Sequence, residues 1–552
     1  MKDFQVLARQ LKIYAKRKWK KYLIPFIILH VLKIGIILAI AFFSTNCYSQ
    51  NKYWVFLKDK AGVQFNPYQY FDKTAIDRRV ELGLNLYDST DFPLNTDYIQ
   101  QITDIGVTKY SESRWLNAVS IQASENQICE IKKLPFVVNV QNSMVASKPT
   151  KFGEEKKMRQ KDIKLLKNQI SSLKGEEFIA KKIDGRGVRI AIFDGGFPGV
   201  DKLPYFEHIR NENRIIKTYD FVKKREFVYD YNTHGTMTFS CIAGLADSLN
   251  IGLATGSEFL LARTETWTEF FSEEENWLAA VEWADKNGAR IISSSLGYTL
   301  QRYHQRDMNG HTSLVAKAAL LAARKGILVV TSMGNDGLGF WQVLCTPADA
   351  DSVLSVGGIN PETGYHINFS SYGPTADMRM KPNVCAFGKV IAADKHKLKT
   401  MEGTSFSTPL VAGFAACVLQ MNPGWNNMQV LNEIEKSASL YPYFDYAHGF
   451  GIPQASYFTG SKTVADTTFD VLADDISIRA KIRPASMPDS TEKANDFYFY
   501  YNITKPTGVI RKYFVVEVND QIVVTVPKDE LRENEYLRFH YKGFTKDFYP
   551  NK

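Results

Sequence analysis

Gly403-Thr404-Ser405-Phe406-Ser407-Thr408-Pro409 places one serine between a glycine turn and an apolar, helix-patterned stretch over residues 410–420. A serine at a strand-to-helix corner exposes its hydroxyl. Its backbone N–H sits at a helix N-terminus, where negative charge is favoured. A nucleophile whose attack creates an oxyanion needs that combination. Working outward, Arg189-Ile190-Ala191-Ile192-Phe193-Asp194-Gly195-Gly196 reads as an apolar strand ending in a carboxylate and glycines. This puts Asp194 at the C-terminal edge of a parallel sheet, where α/β sites form. Asn232-Thr233-His234-Gly235-Thr236 precedes another apolar stretch, 237–243, and sets His234 at the mouth of a helix. The chain order is Asp, His, Ser, one of the three orders in which a serine nucleophile, its base and its orienting acid occur.

Taken singly, each residue has an ordinary reading. Asp194 and Ser405 serve as cap residues, His234 as a satisfied histidine, and Asn335 before Asp336-Gly337 as a turn residue. Their joint occurrence in order, each at a strand end or helix start, carries the argument. On these runs the sequence resembles the subtilisin-like serine peptidases, the subtilases, over residues 184–455. The resemblance implies a doubly wound, mostly parallel α/β sheet and hydrolysis of peptide bonds through an acyl-enzyme. Ser405 would be nucleophile, His234 general base and acid, and Asp194 the group that fixes the histidine tautomer. Asn335, at the end of the run Ile327-Leu328-Val329-Val330-Thr331-Ser332-Met333-Gly334-Asn335, inherits a side-chain oxyanion donor role. Ser295, Leu296 and Gly297, after the strand Ile291-Ile292-Ser293-Ser294, resemble the edge that pairs with substrate backbone, with Gly334 beside it. Backbone pairing of that kind gives affinity without sequence dependence. Phe369-Ser370-Ser371-Tyr372-Gly373-Pro374 and Lys381-Pro382-Asn383 fit the same resemblance.

The departures are modest. Met237, Thr238 and Phe239 stand where the family has a second histidine and small residues. Two glycines and Phe197 follow Asp194 where many members have Thr-Gly or Ser-Gly. None removes a reacting group.

The net charge of +9 suggests nucleic acid until it is located. Residues 1–50 hold nine Lys/Arg and one acid, a net of +8, which leaves +1 for the remaining 502 positions. The basicity belongs to a targeting segment, and nucleic acid is dropped as a partner. That segment runs from Lys16-Arg17-Lys18-Trp19-Lys20-Lys21 into an apolar stretch, 23–43, and then Ser44-Thr45-Asn46-Cys47-Tyr48-Ser49-Gln50. It reads as a signal peptide with a long basic region or as an uncleaved membrane anchor. Pro25, His30 and Lys33 interrupt a clean span. Either reading makes the protein extracytoplasmic: secreted, periplasmic or cell-surface. Six cysteines, at 47, 129, 241, 345, 385 and 417, show no paired spacing and no metal pattern. The predicted chemistry needs no cofactor. Subtilases often bind structural calcium, and no ligand set is assignable in this sequence.

Residues 51–146 form a separate α+β unit. Strands are predicted at 53–57, 118–122 and 137–140, and helices at 95–105 and 125–134. This βαββαβ-like, ferredoxin-like pattern, ahead of a subtilase domain, resembles the family's propeptide, a folding template and then an inhibitor. The alternative is a plain accessory domain. Residues 147–182, rich in Lys, Glu and Gln, predict an exposed charged linker with helical tendency, the place for processing cuts. Residues 183–460 alternate strands with helical patterns at 274–287 and 313–325, the signature of a parallel sheet. Residues 461–552 are aromatic and β-branched around 496–503, 513–518 and 522–526, which predicts a small all-β sandwich. The partners implied are polypeptide substrates, the chain's own propeptide, and a membrane if the N-terminus is retained. The rival function is a catalytically silent subtilase-fold binding protein at the cell surface.

Overall fold

The structure is a computed structural model that describes residues 51–143, 160–266, 271–299, 302–395, 397–461, 465–488, 497–518 and 523–550. The predicted signal peptide or anchor lies outside the described residues, as does Cys47.

Seven parallel strands form the central sheet. Their spatial order is Val384–Phe387, Leu354–Ile359, Leu328–Ser332, Ile291–Ser294, Arg189–Asp194, Glu258–Arg263, Ile215–Asp220. In Arg189–Asp194 every residue is buried, because both faces of a parallel sheet are covered by crossover helices. Side chains alternate between two cores. Ile190 and Ile192 pack with the helices His234–Ala243 and Thr404–Met421. Ala191 and Phe193 pack with Trp277 and Val281 of Phe271–Lys286 and with Val315 and Ala319 of Leu314–Arg324. The strand order reverses beside Arg189–Asp194, and the crevice at that switch point is where ligands bind in such sheets. Thr404–Met421 is long and apolar enough to cross a membrane, yet its residues lie buried in the domain as its core helix.

The N-terminal unit is a four-stranded antiparallel sheet in the order Thr108–Ser113, Ala118–Ala123, Asn51–Leu57, Val137–Ser143. Tyr53, Val55 and Leu57 face the unit's own helices, Thr96–Thr103 and Glu125–Ile131. Trp54, on the opposite face by the two-residue period, packs with Trp277 and Leu278 of the domain built on the central sheet. The first domain is therefore seated on the outer side of Phe271–Lys286.

The predicted linker over 147–182 needs correction. Gln160–Ser171 is a helix packed on the central-sheet domain, with Leu166 and Gln169 buried. The Gln169 amide donates to the carbonyls of Ile251, at 2.8 Å, and Ile391, at 3.2 Å, and accepts from the Ile391 N–H at 2.9 Å. An exposed linker could not make these bonds. The rest of that prediction, 147–159, lies outside the described residues. Three elements of the first domain were also not anticipated, the edge strand Thr108–Ser113, the helix Lys73–Glu81 and the short helix Pro67–Tyr70.

The C-terminal region is strand-rich. One sheet holds Phe469–Ala473, Ser477–Ile482 and Val523–Pro527; the other holds Ile510–Glu517, Tyr498–Thr504, Tyr536–Tyr541 and Phe544–Phe548. Their inner faces share Phe469, Phe499 and Phe539. The region docks on the central-sheet domain through Tyr443 against Tyr500 and Phe444 against Ile510.

Candidate active site

The C-terminal edge of the sheet gathers the predicted residues. Ser294 is in register with Phe193 on one side and Thr331 on the other. Asp194 and Ser332, which end their strands, and Ser295, just past the end of Ile291–Ser294, therefore lie at one level.

Asp194 is 1 % exposed. The His234 Nδ1 lies 2.8 Å from Asp194 Oδ1 and 2.9 Å from Oδ2. Two more donors hold the carboxylate: the Gly195 N–H at 2.7 Å and the Thr238 hydroxyl at 3.1 Å. Thr238 is one of the residues that depart from the family pattern, and it sits one turn beyond His234 with its hydroxyl on the same acid. A carboxylate so held fixes the Nδ1–H tautomer and leaves Nε2 as a base. Burial pushes the His234 pKa down, but the charge and hydrogen bond of Asp194 outweigh it and hold it above the ordinary histidine value. The helix carrying His234 comes very close to the loop after Asp194. A Cβ on Gly235 would stand 2.3 Å from the Gly196 carbonyl, so only glycine fits.

Ser405 is half-buried in the first turn of Thr404–Met421. Its hydroxyl donates to the Ser295 carbonyl at 3.2 Å, and the Ser295 hydroxyl donates to the Ser405 carbonyl at 2.7 Å. The His234 and Phe406 rings, 5.7 Å apart, place the histidine against the residue after Ser405.

Asn335 is solvent-facing at the end of Leu328–Ser332. Its Oδ1 accepts from the Thr404 N–H at 2.8 Å and from the Thr404 hydroxyl at 2.9 Å. Two donors on one atom identify it as the oxygen and direct the amide NH₂ elsewhere. A Cβ built on Gly403, whose φ is +142°, would lie 3.7 Å from both Asn335 Nδ2 and the Ser405 N. Gly403 thus keeps open a space flanked by two N–H donors, the layout of an oxyanion hole.

Of the expected substrate-pairing residues, Ser295 is buried, while Leu296, Gly297 and Gly334 are half-buried. Cys345 lies beneath both glycines. Its Sγ would be 2.1 Å from a Cβ on Gly297 and 3.4 Å from one on Gly334. Cys241, Cys345, Cys385 and Cys417 are buried, and Cys129 is exposed. Burial raises the pKa of Cys241 to about 12 and that of Cys417 further, so both are inert packing groups. Among the described residues no group of three or more His, Cys, Asp or Glu side chains is placed to hold a metal.

Thr238, Thr404 and the Ser295 side chain were not assigned roles from sequence. Thr404 had a usable signal, since it lies inside the quoted serine run. Thr238 had only its polarity within an apolar helix.

The sequence model of the Subtilase family matches residues 185–451, and that of the Peptidase S8 propeptide domain, Bacteroidota, matches residues 52–162. Subtilisin NAT of Bacillus subtilis subsp. natto is 26 % identical over 365 residues, covering 64 % of this chain and 84 % of that protein. Subtilisin E of Bacillus subtilis (strain 168) matches with the same identity and coverage. Subtilisin Savinase of Lederbergia lenta is 28 % identical over 258 residues, 47 % of this chain and 85 % of that protein. Among solved structures, the crystal structure of MycP1 from the ESX-1 type VII secretion system is similar with a TM-score of 0.43 and 21 % identity, over 54 % of this chain and 86 % of that one.

Proposed function

We propose, on the premise that this chain belongs to the subtilase family and is a serine endopeptidase made as a zymogen, that Asp194, His234 and Ser405 perform the hydrolysis and that they do so outside the cytoplasm. The observation that carries the assignment is the Asp194–His234 pair, with the histidine Nδ1 2.8 Å from a buried carboxylate, on the same sheet edge as Ser405.

As a peptide carbonyl arrives, the Ser405 hydroxyl leaves the Ser295 carbonyl and turns to His234 Nε2. Ser405 Oγ attacks the carbonyl carbon while its proton passes to Nε2. Asp194 stabilises the imidazolium. The oxyanion is received by the Ser405 N–H and the Asn335 amide. The C–N bond then breaks, the imidazolium giving its proton to the departing amine. Water repeats the sequence on the acyl-enzyme, releasing the acid and restoring Ser405. Ser295, Leu296, Gly297 and Gly334 offer backbone to an extended substrate. No cofactor enters these steps. Structural calcium is left without an assigned ligand set.

Export rests on the basic and apolar segment of residues 1–50 and on the subtilisin relatives. Its removal as a signal or retention as an anchor is decided by the N-terminus of the mature protein. The proposal is tested by fluorophosphonate labelling. Wild type should be labelled and hydrolyse a peptide amide, and Ser405→Ala should do neither while melting as wild type does. An unlabelled, inert wild-type protein that still binds peptides would instead make it a silent binding protein.

A further inference from the structure

The connection between the first strand of the propeptide domain, Asn51–Leu57, and its helix Thr96–Thr103 reaches beyond that domain. It crosses to the opposite edge of the catalytic sheet. The Asp72 N–H donates to the Lys286 carbonyl at 2.8 Å. Asp72 then caps the helix Lys73–Glu81 through the Thr74 N–H at 3.0 Å. From this helix Arg78 donates to the Ala289 carbonyl at 2.5 Å, and Arg78 and Arg79 both bond the Asp285 carboxylate, Arg79 at 2.8 Å. Residues 285–290 lead into Ile291–Ser294 at its N-terminal end, whereas the triad lies beyond the strands' C-terminal ends.

Charge is matched in both directions. Asp285 of the catalytic domain takes two propeptide arginines. Lys325 of the catalytic domain takes two propeptide acids, Asp91 at 2.8 Å and Asp88 at 3.3 Å. Arg78, Arg79, Asp285 and Asp91 are each 2 % exposed or less, so the ions are desolvated at the contact. Removing one partner of such a pair leaves an uncompensated buried charge, which is strongly unfavourable. Shape agrees with charge. A Cβ on Gly288 would stand 2.7 Å from Thr74 and 2.9 Å from the Ala75 backbone N, so that turn admits the propeptide helix because it lacks a side chain; one on Gly326 would stand 2.6 Å from the Leu82 side chain.

We propose that propeptide residues 72–91 form a second anchor, gripping Asp285 and Lys325 at the sheet edge away from the active centre, that keeps the cut propeptide seated on the enzyme and delays the onset of activity. This rests on the zymogen reading above. Because the anchor makes no use of the catalytic crevice, cleavage between the two domains leaves its contacts intact.

The test compares the full wild-type chain with Arg78→Gln/Arg79→Gln. Both changes lie in the propeptide, so the matured enzyme is chemically identical in the two. Junction cleavage is followed on denaturing gels, retention of the cut fragment by size-exclusion chromatography, and activity with a peptide amide. In wild type the fragment should co-elute with the enzyme and activity should lag cleavage. In the variant the fragment should elute alone and the lag should shorten at least tenfold. Equal lag and retention in both chains would overturn the anchor while leaving the peptidase reading untouched. Hydrogen exchange on full-length Ser405→Ala decides the matter if the double variant does not fold. A nine-residue helix is unstable alone. Amides of Lys73–Glu81 protected as strongly as those of Ala118–Ala123 would therefore report docking, and exchange near the unstructured rate would refute it. A wild-type chain that is neither cut nor active, yet protected there, would fault the peptidase reading and not the anchor.

Discussion

Ser295 Oγ donates to the carbonyl of Ser405 at 2.7 Å, the one acceptor in the first turns of Thr404–Met421 that Pro409 leaves without its helical donor. In an α-helix the carbonyl of residue 405 would receive the N–H of residue 409, and proline has none. The side chain ending one strand thus completes the helix that carries the serine 110 residues later. Ser295→Ala would strand a partly buried carbonyl. It should cost about 1–3 kcal/mol of stability, read from denaturant melts, and lower kcat more than it raises KM. A variant with unchanged melt and unchanged kcat would show that the bond positions nothing.

Thr404 holds the Asn335 amide oxygen through both its N–H and its hydroxyl. Thr404→Val keeps one donor and should lower kcat about tenfold with little change in KM, because the interaction it supports is made to the oxyanion. Asn335→Leu, which deletes the donor, should lower kcat about 100- to 1000-fold, the size known for such a donor in subtilisin. Steady-state kinetics on one amide substrate separates these outcomes, and a pure KM effect in either variant would contradict the assignment.

Thr238 places its hydroxyl on the Asp194 oxygen at 3.1 Å. In Thr238→Val the carboxylate keeps the Gly195 N–H and His234 but loses this donor. Its negative charge becomes less well solvated and binds the imidazolium proton more strongly. The acid limb of kcat/KM should therefore move to higher pH than in wild type. An unmoved limb would reduce Thr238 to a packing residue.

Activity and stability should respond to the His234 pair in opposite senses. Burial disfavours the imidazolium, but Asp194 prevails, and the folded-state pKa lies above the ordinary value of 6.5. The base must be neutral, so kcat/KM should rise with pH through a midpoint above 6.5 and hold at mildly alkaline pH. A histidine with a raised pKa contributes stability in full below its unfolded pKa and loses it as pH climbs through the folded one. The pair's share of stability should thus fade over the range where activity appears. A pH–rate profile beside melts across pH 5–9 checks both signs, and activity that increases on acidification would point to carboxylate chemistry.

Cutting the chain after Gly460 should yield an aggregation-prone protein. Leu440, Tyr443, Phe444 and Tyr446 are buried by the C-terminal sandwich through Tyr500 and Ile510. Exposing such side chains costs about 1.5–3 kcal/mol each for the apolar ones. The truncated protein should melt at lower temperature and precipitate. A soluble truncation with the parent's melting temperature would make the last region an independent attachment.

The motifs of the candidate site were legible because each is a local event. An apolar run ending in Asp194-Gly195-Gly196, a histidine opening a helix and a serine after a glycine turn all occur within a few residues, where backbone preference and hydrophobic period act. The edge strand Thr108–Ser113 escaped because its side chains are mostly exposed, which leaves no apolar alternation to read. Gln160–Ser171 escaped because its composition is that of a solvated helix. Its burial comes from Gln169 inserted between two distant carbonyls.

What the sequence determined by itself was the alternation of strands and helices, the order of Asp194, His234 and Ser405, and the division into propeptide-like, catalytic and β-rich segments, since these follow from local periodicity and turn chemistry. Only the tertiary structure decided which partner each group receives. Thr404 on Asn335, Thr238 on Asp194, Ser295 on Ser405 and Arg78 with Arg79 on Asp285 join residues 44 to 207 positions apart. Nothing local distinguishes a serine or arginine that will be paired from one that will be solvated. The choice is made when the sheet closes and a buried polar atom must find a partner or bear the cost of lacking one.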